Sequence, residues 1–368
     1  DLFNKLVQSY KDDIFFTAGF IYFKMEMYDD AIEYLNKSIN DGNIKKDSAL
    51  LMLSEIYGRK KDEIGRASLY YIKIDKNKLS SEEKEKYNFL SNHILWSKID
   101  TTKIGYKDPN ISAISIDKDI IYIGLYNGGL IEYNYILDSY NYYIGGNLVS
   151  ENVRDIFVDT RFIYIGTAEG VSIFDKRYGS FRIVDELKNK SITSVTANED
   201  FVWFGTLGDG IICYDKKEKN YFTVGDFVNI STLFYVDGVL YIAPYSGNLF
   251  CLSGRDIFQV NITIPYKNPV TDIIKLANKL YITTFGAGVF VYDLSNQEVK
   301  RYCSENSLFS EDYFLCVAEK DNILYCGTLG NGIYSYDIKN HKWSTFFISD
   351  LYMGTDIKKI VFTDGFMF

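Results

Sequence analysis

Residues 324–337 read LYCGTLGNGIYSYD, and the same phrase is written five more times upstream. The copies are IYIGLYNGGLIEYN (121–134), IYIGTAEGVSIFD (163–175), VWFGTLGDGIICYD (202–215), LYIAPYSGNLFCLS (240–253) and LYITTFGAGVFVYD (280–293). Their aromatic anchors are Tyr122, Tyr164, Trp203, Tyr241, Tyr281 and Tyr325, spaced 42, 39, 38, 40 and 44 residues apart. Each copy opens with an apolar run that reads as a strand buried on both faces. A small residue ends that run, and a glycine-bearing hairpin follows. The return strand closes on an aromatic and a turn former, such as Tyr214-Asp215 or Tyr336-Asp337. Lysine-rich turns and a fourth strand, such as NYFTV or HKWSTFF, complete the unit.

A four-stranded sheet cannot bury both faces alone, so a period near 40 predicts sheets stacked around an axis as a β-propeller over residues 111–368. The repeats resemble the two-component regulator propeller repeat, with its V-x-x-I-x-x-D first strand, L-W-I-G-T, G-G-L and aromatic-Asp pair. VRDIFVD and ISAISID match that first strand, and ITSVTAN does so more loosely. The fourth copy departs most, with Ala243-Pro244 for Gly-Thr and Leu252-Ser253 for aromatic-Asp. It reads as an irregular blade or a docking place. DIKKIVFTDGFMF aligns with the first strand of a further repeat, and Phe368 falls 43 residues after Tyr325, on the anchor position. This implies a truncated last repeat, or closure by a borrowed strand for which LWSKIDTT, within or beside a 99–110 linker, is the candidate. The expectation is about seven blades, with six still open.

Residues 1–98 carry helical periodicity instead. Phe15, Ala18, Gly19 and Tyr22, then Tyr28, Ala31, Leu35 and Ser38, resemble over residues 12–98 a tetratricopeptide-like repeat. In that repeat small residues at the places of Gly19 and Ala31 let two helices approach. A looser copy runs through Leu50, Leu53, Ser54, Tyr57, Ala67, Tyr71 and Ile74. Ser80 with Glu83 reads as a capped start for a last helix. The predicted fold is thus mainly β, with an α N-terminal domain joined to a propeller.

Charge and composition narrow the function. The net charge is −9, and residues 111–368 carry all of it, with 22 basic against 31 acidic side chains. That disfavours nucleic acid as a ligand. No apolar stretch is long enough for a membrane span. The five cysteines form no CxxC pair, and the two histidines, His93 and His341, are not clustered, so no metal, cofactor or catalytic centre is expected. Cys213 and Cys251 read as small core residues, His341 as a turn residue, and Asp117, Asp159 and Asp237 as turn formers rather than calcium ligands. Gly208-Asp-Gly210 and its counterparts read as hairpins, because no helix follows to make an anion site.

One periodic feature is not demanded by blade geometry. Two residues beyond the strand-ending glycine position stand Tyr126, Ala168, Leu207, Tyr245, Phe285 and Leu329. Tyr126, Leu207, Tyr245, Phe285 and Leu329 would ring one face as a recognition patch. Alternatively, blade-linking loops such as GGNLVSEN fold over and bury them. The expected function is non-catalytic: a scaffold that binds protein partners through a helical groove and a propeller face. The alternative implied by the resemblance is an extracytoplasmic sensor for a small-molecule or saccharide ligand. A lyase is the weakest reading, for want of histidines. The Lys, Ile, Asn and Tyr bias points to an AT-rich bacterial genome, with periplasm or cell envelope preferred to cytoplasm.

Overall fold

The computed structural model describes residues 14–40, 45–60, 64–71, 73–94, 110–265, 267–346, 356–363 and 367–368. It divides into a helical unit and a sheet unit.

The helical unit runs α1 (Ile14–Lys24), α2 (Tyr28–Asn40), α3 (Lys46–Glu55) with a π-turn to Lys60, α4 (Ile64–Tyr71) and α5 (Ser81–Ile94). Its core centres on Ala31, Leu35, Leu50, Leu53, Ala67 and Leu90, each at 0–1% exposure. A Cβ added to Gly19 would sit 2.7 Å from Leu35 Cγ, so the missing side chain is what lets α1 approach α2. Helix α5 starts on a capping box: Ser80 N–H donates to Glu83 Oε2 at 2.8 Å, and Glu83 N–H donates to Ser80 Oγ at 3.3 Å. These helices form a short region with local packing of this kind. A tetratricopeptide array is not supported, and that expectation is corrected to a short helical region.

The sheet unit contains six antiparallel four-stranded blades. Each runs from an inner to an outer strand. Blade 1 comprises Ile111–Asp117, Ile120–Leu125, Gly129–Asn134 and Ser139–Tyr143, and blade 2 Val153–Val158, Phe162–Thr167, Gly170–Asp175 and Ser180–Ile183. Blade 3 comprises Ser191–Ala197, Phe201–Leu207, Ile211–Asp215 and Asn220–Thr223, and blade 4 Ile230–Val236, Val239–Pro244, Phe250–Ser253 and Asp256–Gln259. Blade 5 comprises Val270–Leu276, Lys279–Thr284, Val289–Asp293 and Val299–Tyr302, and blade 6 Phe314–Lys320, Ile323–Thr328, Ile333–Asp337 and Lys342–Phe346. The fourth copy is therefore a complete blade, contrary to its irregular sequence.

No seventh four-stranded sheet forms among the described residues, so the expected seven blades become six. Residues 356–363 nonetheless lie against blade 6. Ile357 N–H donates to Thr328 O at 2.8 Å, and Val361 and Phe368 exchange both backbone hydrogen bonds at 2.9 Å. Residues 95–109, which hold the proposed closing segment LWSKIDTT, are outside the described residues.

Blade stacking explains the small residue at the end of the second strand. A Cβ on Gly166 would meet Ile192 of the next inner strand at 2.6 Å, on Gly205 it would meet Ile230 at 2.7 Å, and on Gly327 it would meet Ile357 at 2.6 Å. Neighbouring side chains exclude a Cβ there, not a tight turn. Five aromatic anchors are buried at 2–5% exposure, whereas Tyr325 is half-buried and packs 5.1 Å from the Phe362 ring.

The first-turn aspartates do more than make turns. Lys176 Nζ bridges Asp117 Oδ2 at 2.5 Å and Asp159 O at 2.7 Å, and Lys216 Nζ bridges Asp159 Oδ2 and Asn198 O, both at 2.6 Å. Each lysine thus joins two successive blades. Burial alone would raise the Asp159 carboxyl, but the bonds from Lys216 and Thr160 outweigh it and hold it below the ordinary value. A carboxyl lowered by folding stabilises above its unfolded pKa of about 3.9, and that contribution is lost as the pH falls through the folded value. Lys216→Met is therefore expected to cost about 1 kcal/mol at pH 7. Denaturant unfolding of both proteins should show that gap narrowing as the pH falls below about 4, and a gap that does not narrow with acid would contradict the pairing.

Candidate functional site

The five predicted site residues occupy one structural place, the residue after the second strand or at its very end. Tyr126 N–H donates to Asn110 O, Tyr245 N–H to Asn229 O and Leu329 N–H to Tyr313 O at 3.0 Å, and Phe285 N–H donates to Pro269 O at 2.9 Å. Leu207 pairs with Ser191 in the same register. Each acceptor lies at or just before the start of its own blade's inner strand, so all five stand at the inner end of a blade. Leu207, Tyr245 and Phe285 are 41%, 42% and 37% exposed, while Tyr126 and Leu329 are half-buried. The blade-linking loops do not bury the set. They cover part of it.

Four of the six hairpins, those of blades 2, 3, 5 and 6, share a repeated lock. Thr167, Thr206, Thr284 and Thr328 donate through Oγ1 to the carbonyl of Gly170, Gly210, Gly288 and Gly332, at 2.7–2.9 Å. The same oxygens accept the N–H of Glu169, Asp209, Ala287 and Asn331 at 3.0–3.2 Å. This is the physical reason for a threonine at the end of the second strand. Blades 1 and 4 carry Leu125 and Pro244 there and cannot make the lock. These are the two blades whose hairpins present a tyrosine, Tyr126 and Tyr245.

Two residues join the site that the sequence reading missed. Tyr313 is 43% exposed and meets Phe285 edge-on at 5.0 Å between ring centroids. Arg154 on the blade 2 inner strand holds its guanidinium carbon 5.6 Å from the Tyr126 ring centroid. Burial raises the Tyr245 hydroxyl above its ordinary pKa, and Arg154 pulls it down while Tyr126 pushes it up. Tyr126 of blade 1, Arg154 of blade 2 and Tyr245 of blade 4 are therefore electrostatic neighbours. A signal was available in sequence: other inner strands carry Ser112, Thr193, Ser231 and Thr271 where blade 2 has arginine.

The remaining candidates have structural places. All five cysteines are free; Cys213 lies in the core, its thiol pushed up to about 12 chiefly by burial. His341 is exposed in its turn, with Nδ1 3.1 Å from the Tyr336 hydroxyl. No group of three His, Cys, Asp or Glu side chains could hold a metal ion among the described residues. No helix among them is long and apolar enough to cross a membrane.

No family model matches the chain. A curated relative, Histidine kinase P4 of Formosa agariphila, is 28% identical over 124 residues, which is 30% of this chain and 9% of that protein. This chain therefore spans less than a tenth of it. Among solved structures, the extracellular domains of two hybrid two-component systems of B. thetaiotaomicron align at 17% identity with TM-scores of 0.56 and 0.59. The alignments cover 69% of this chain and 37% and 36% of theirs. PorZ, a surface component of the type-IX secretion system of Porphyromonas gingivalis, aligns at 15% identity and TM-score 0.52, over 62% of this chain and 38% of its own. At these identities the likeness is one of fold: a mainly β chain whose propeller resembles extracellular domains of two-component systems.

Proposed function

We propose that this chain is a non-catalytic, extracytoplasmic ligand-sensing propeller of the kind that serves a two-component system as its input domain. The observation that carries the reading is the set of part-exposed apolar side chains, Leu207, Tyr245 and Phe285, repeated at the inner ends of successive blades. Stable sheets below hold these side chains in place, so a ligand would meet a preformed surface with little ordering cost. The likeness to extracellular domains of hybrid two-component systems supports the compartment and the role. A saccharide is the ligand class that aromatic faces with nearby polar groups suit.

The scaffold reading is the second one. Val228 at 59% exposure beside the Leu207 hairpin, and Tyr313 beside Phe285, extend the apolar surface in a manner that would also suit a protein loop. The likeness to a secretion-system surface component favours it too.

Tyr245→Ser with Phe285→Ser decides whether this surface binds. Truncating exposed aromatic anchors is expected to weaken binding by about 2 kcal/mol or more, roughly thirtyfold, with the melting temperature nearly unchanged. A melting screen against an oligosaccharide panel, repeated on the double variant, is the measurement. A ligand that shifts wild type and variant alike, or a variant that unfolds, would reject the surface. Protein partners captured in place of any saccharide would favour the scaffold.

A further inference from the structure

Arg154 is an exposed cation on a strand whose counterparts carry Ser112, Thr193, Ser231, Thr271 and Leu315 at the same position. Several other cations of the sheets are held in ion pairs. Arg161 holds Asp175 at 2.7 Å, Lys176 holds Asp117 at 2.5 Å, Lys216 holds Asp159 at 2.6 Å and Lys275 holds Asp237 at 2.6 Å. Arg154 makes no ion pair among the described residues. On the blade-linking and hairpin loops, Asp209 is held by Lys190 and Asp312 Oδ1 accepts the Ser304 N–H at 2.6 Å. The guanidinium stands against the Tyr126 ring with Tyr245 close by.

We infer that this corner of the surface binds an acidic saccharide, with a carboxylate on the Arg154 fork and the sugar ring against Tyr126 and Tyr245. A guanidinium presents parallel N–H donors that match a carboxylate or sulfate. The two phenol rings offer flat apolar faces with hydroxyl tips, suited to a ring that is apolar on one face and polar at its edge. The acidic balance of residues 111–368 sets a limit, because a dense polyanion would be repelled while one charge seated on one arginine would not. The ligand is therefore a short oligosaccharide with isolated acid groups. This rests on the reading of the propeller as a ligand sensor.

The test measures binding of uronate-containing oligosaccharides, each beside its methyl ester, which keeps the ring and removes the charge. A sulfated set runs in parallel to separate the two acid types. At least one acidic oligosaccharide is expected to bind the wild-type chain about tenfold or more tighter than its neutral partner. Arg154→Gln should erase that difference and Arg154→Lys restore only part of it, because a point charge lacks the fork. Should Arg154→Gln fail to fold, the acid–ester comparison on wild type still decides. Equal binding of acid and ester, or unchanged acid binding by Arg154→Gln, overturns the inference and leaves the sensor reading standing. If neither acidic nor neutral oligosaccharides bind, both fall.

Discussion

In a Lys359→Met protein the propeller is expected to lose about 2–4 kcal/mol of stability, seen as a melting temperature roughly 5–12 °C lower. The cause is a ring of side chains at the third inner-strand position. Asp155 Oδ2 accepts the Val195 N–H of the next blade at 2.7 Å, Ser194 Oγ accepts Leu233 N–H at 3.0 Å, and Asp272 Oδ2 accepts Val317 N–H at 3.3 Å. Cys316 Sγ reaches Ile357 O at 3.6 Å, and Lys359 then returns to Asp272 Oδ2 at 2.7 Å. Burial opposes the Lys359 charge, yet Asp272 overrides it and holds the amine above its ordinary value. Burial raises the Asp155 carboxyl, and Lys359 works against that rise.

Removing the lysine leaves two inner carboxylates uncompensated. A lost partner in a buried pair costs about 3–5 kcal/mol. With 35% of the Lys359 side chain accessible, solvent recovers part of that, hence the lower range. Asp272→Asn combined with Lys359→Met should restore part of the stability, since it removes the nearer of the two stranded carboxylates. Calorimetric melting of wild type and the two variants is the measurement. A single variant as stable as wild type would mean that water already solvates this ring.

Gly210→Ala is expected to cost about 3 kcal/mol, against about 1 kcal/mol for Gly208→Ala. Both glycines sit at positive φ, +69° and +99°, where a side chain is strained. Only at Gly210 would the new Cβ also press on a backbone atom, the Phe227 carbonyl oxygen, whereas at Gly208 nothing lies within 4 Å. Gly210 also accepts from Thr206 N–H and Oγ1, both at 2.9 Å, so moving it breaks the lock under Leu207. Denaturant midpoints of the two variants should differ clearly, and equal losses would show that backbone conformation alone sets the cost. In the first hairpin the same logic selects Gly129, at φ +73°, rather than its neighbour Gly128, which stays out of the left-handed region.

These features were unequally legible in the sequence. Gly19 and Ala31 announced a close helix pair because the demand for a small residue is local to two consecutive helices. Helical spacing alone did not fix an array, which needs further pairs to stack upon. The Tyr126, Leu207, Tyr245, Phe285 and Leu329 series was found because it recurs with the period. Arg154 and Tyr313 break the period instead of following it, and a search for repetition passes over them.

The sequence by itself determined the blades. Every ladder within a blade joins strands adjacent along the chain, so alternation, turn residues and a period near 40 suffice to write them down. Only the tertiary structure decided what happens between blades. Lys176 with Asp117 spans 59 residues, and Lys359 with Asp272 spans 87. The approach of Arg154 to Tyr126 likewise joins two separate blades. The direction in which successive sheets stack sets those distances, and no local pattern of apolar and polar residues encodes that direction.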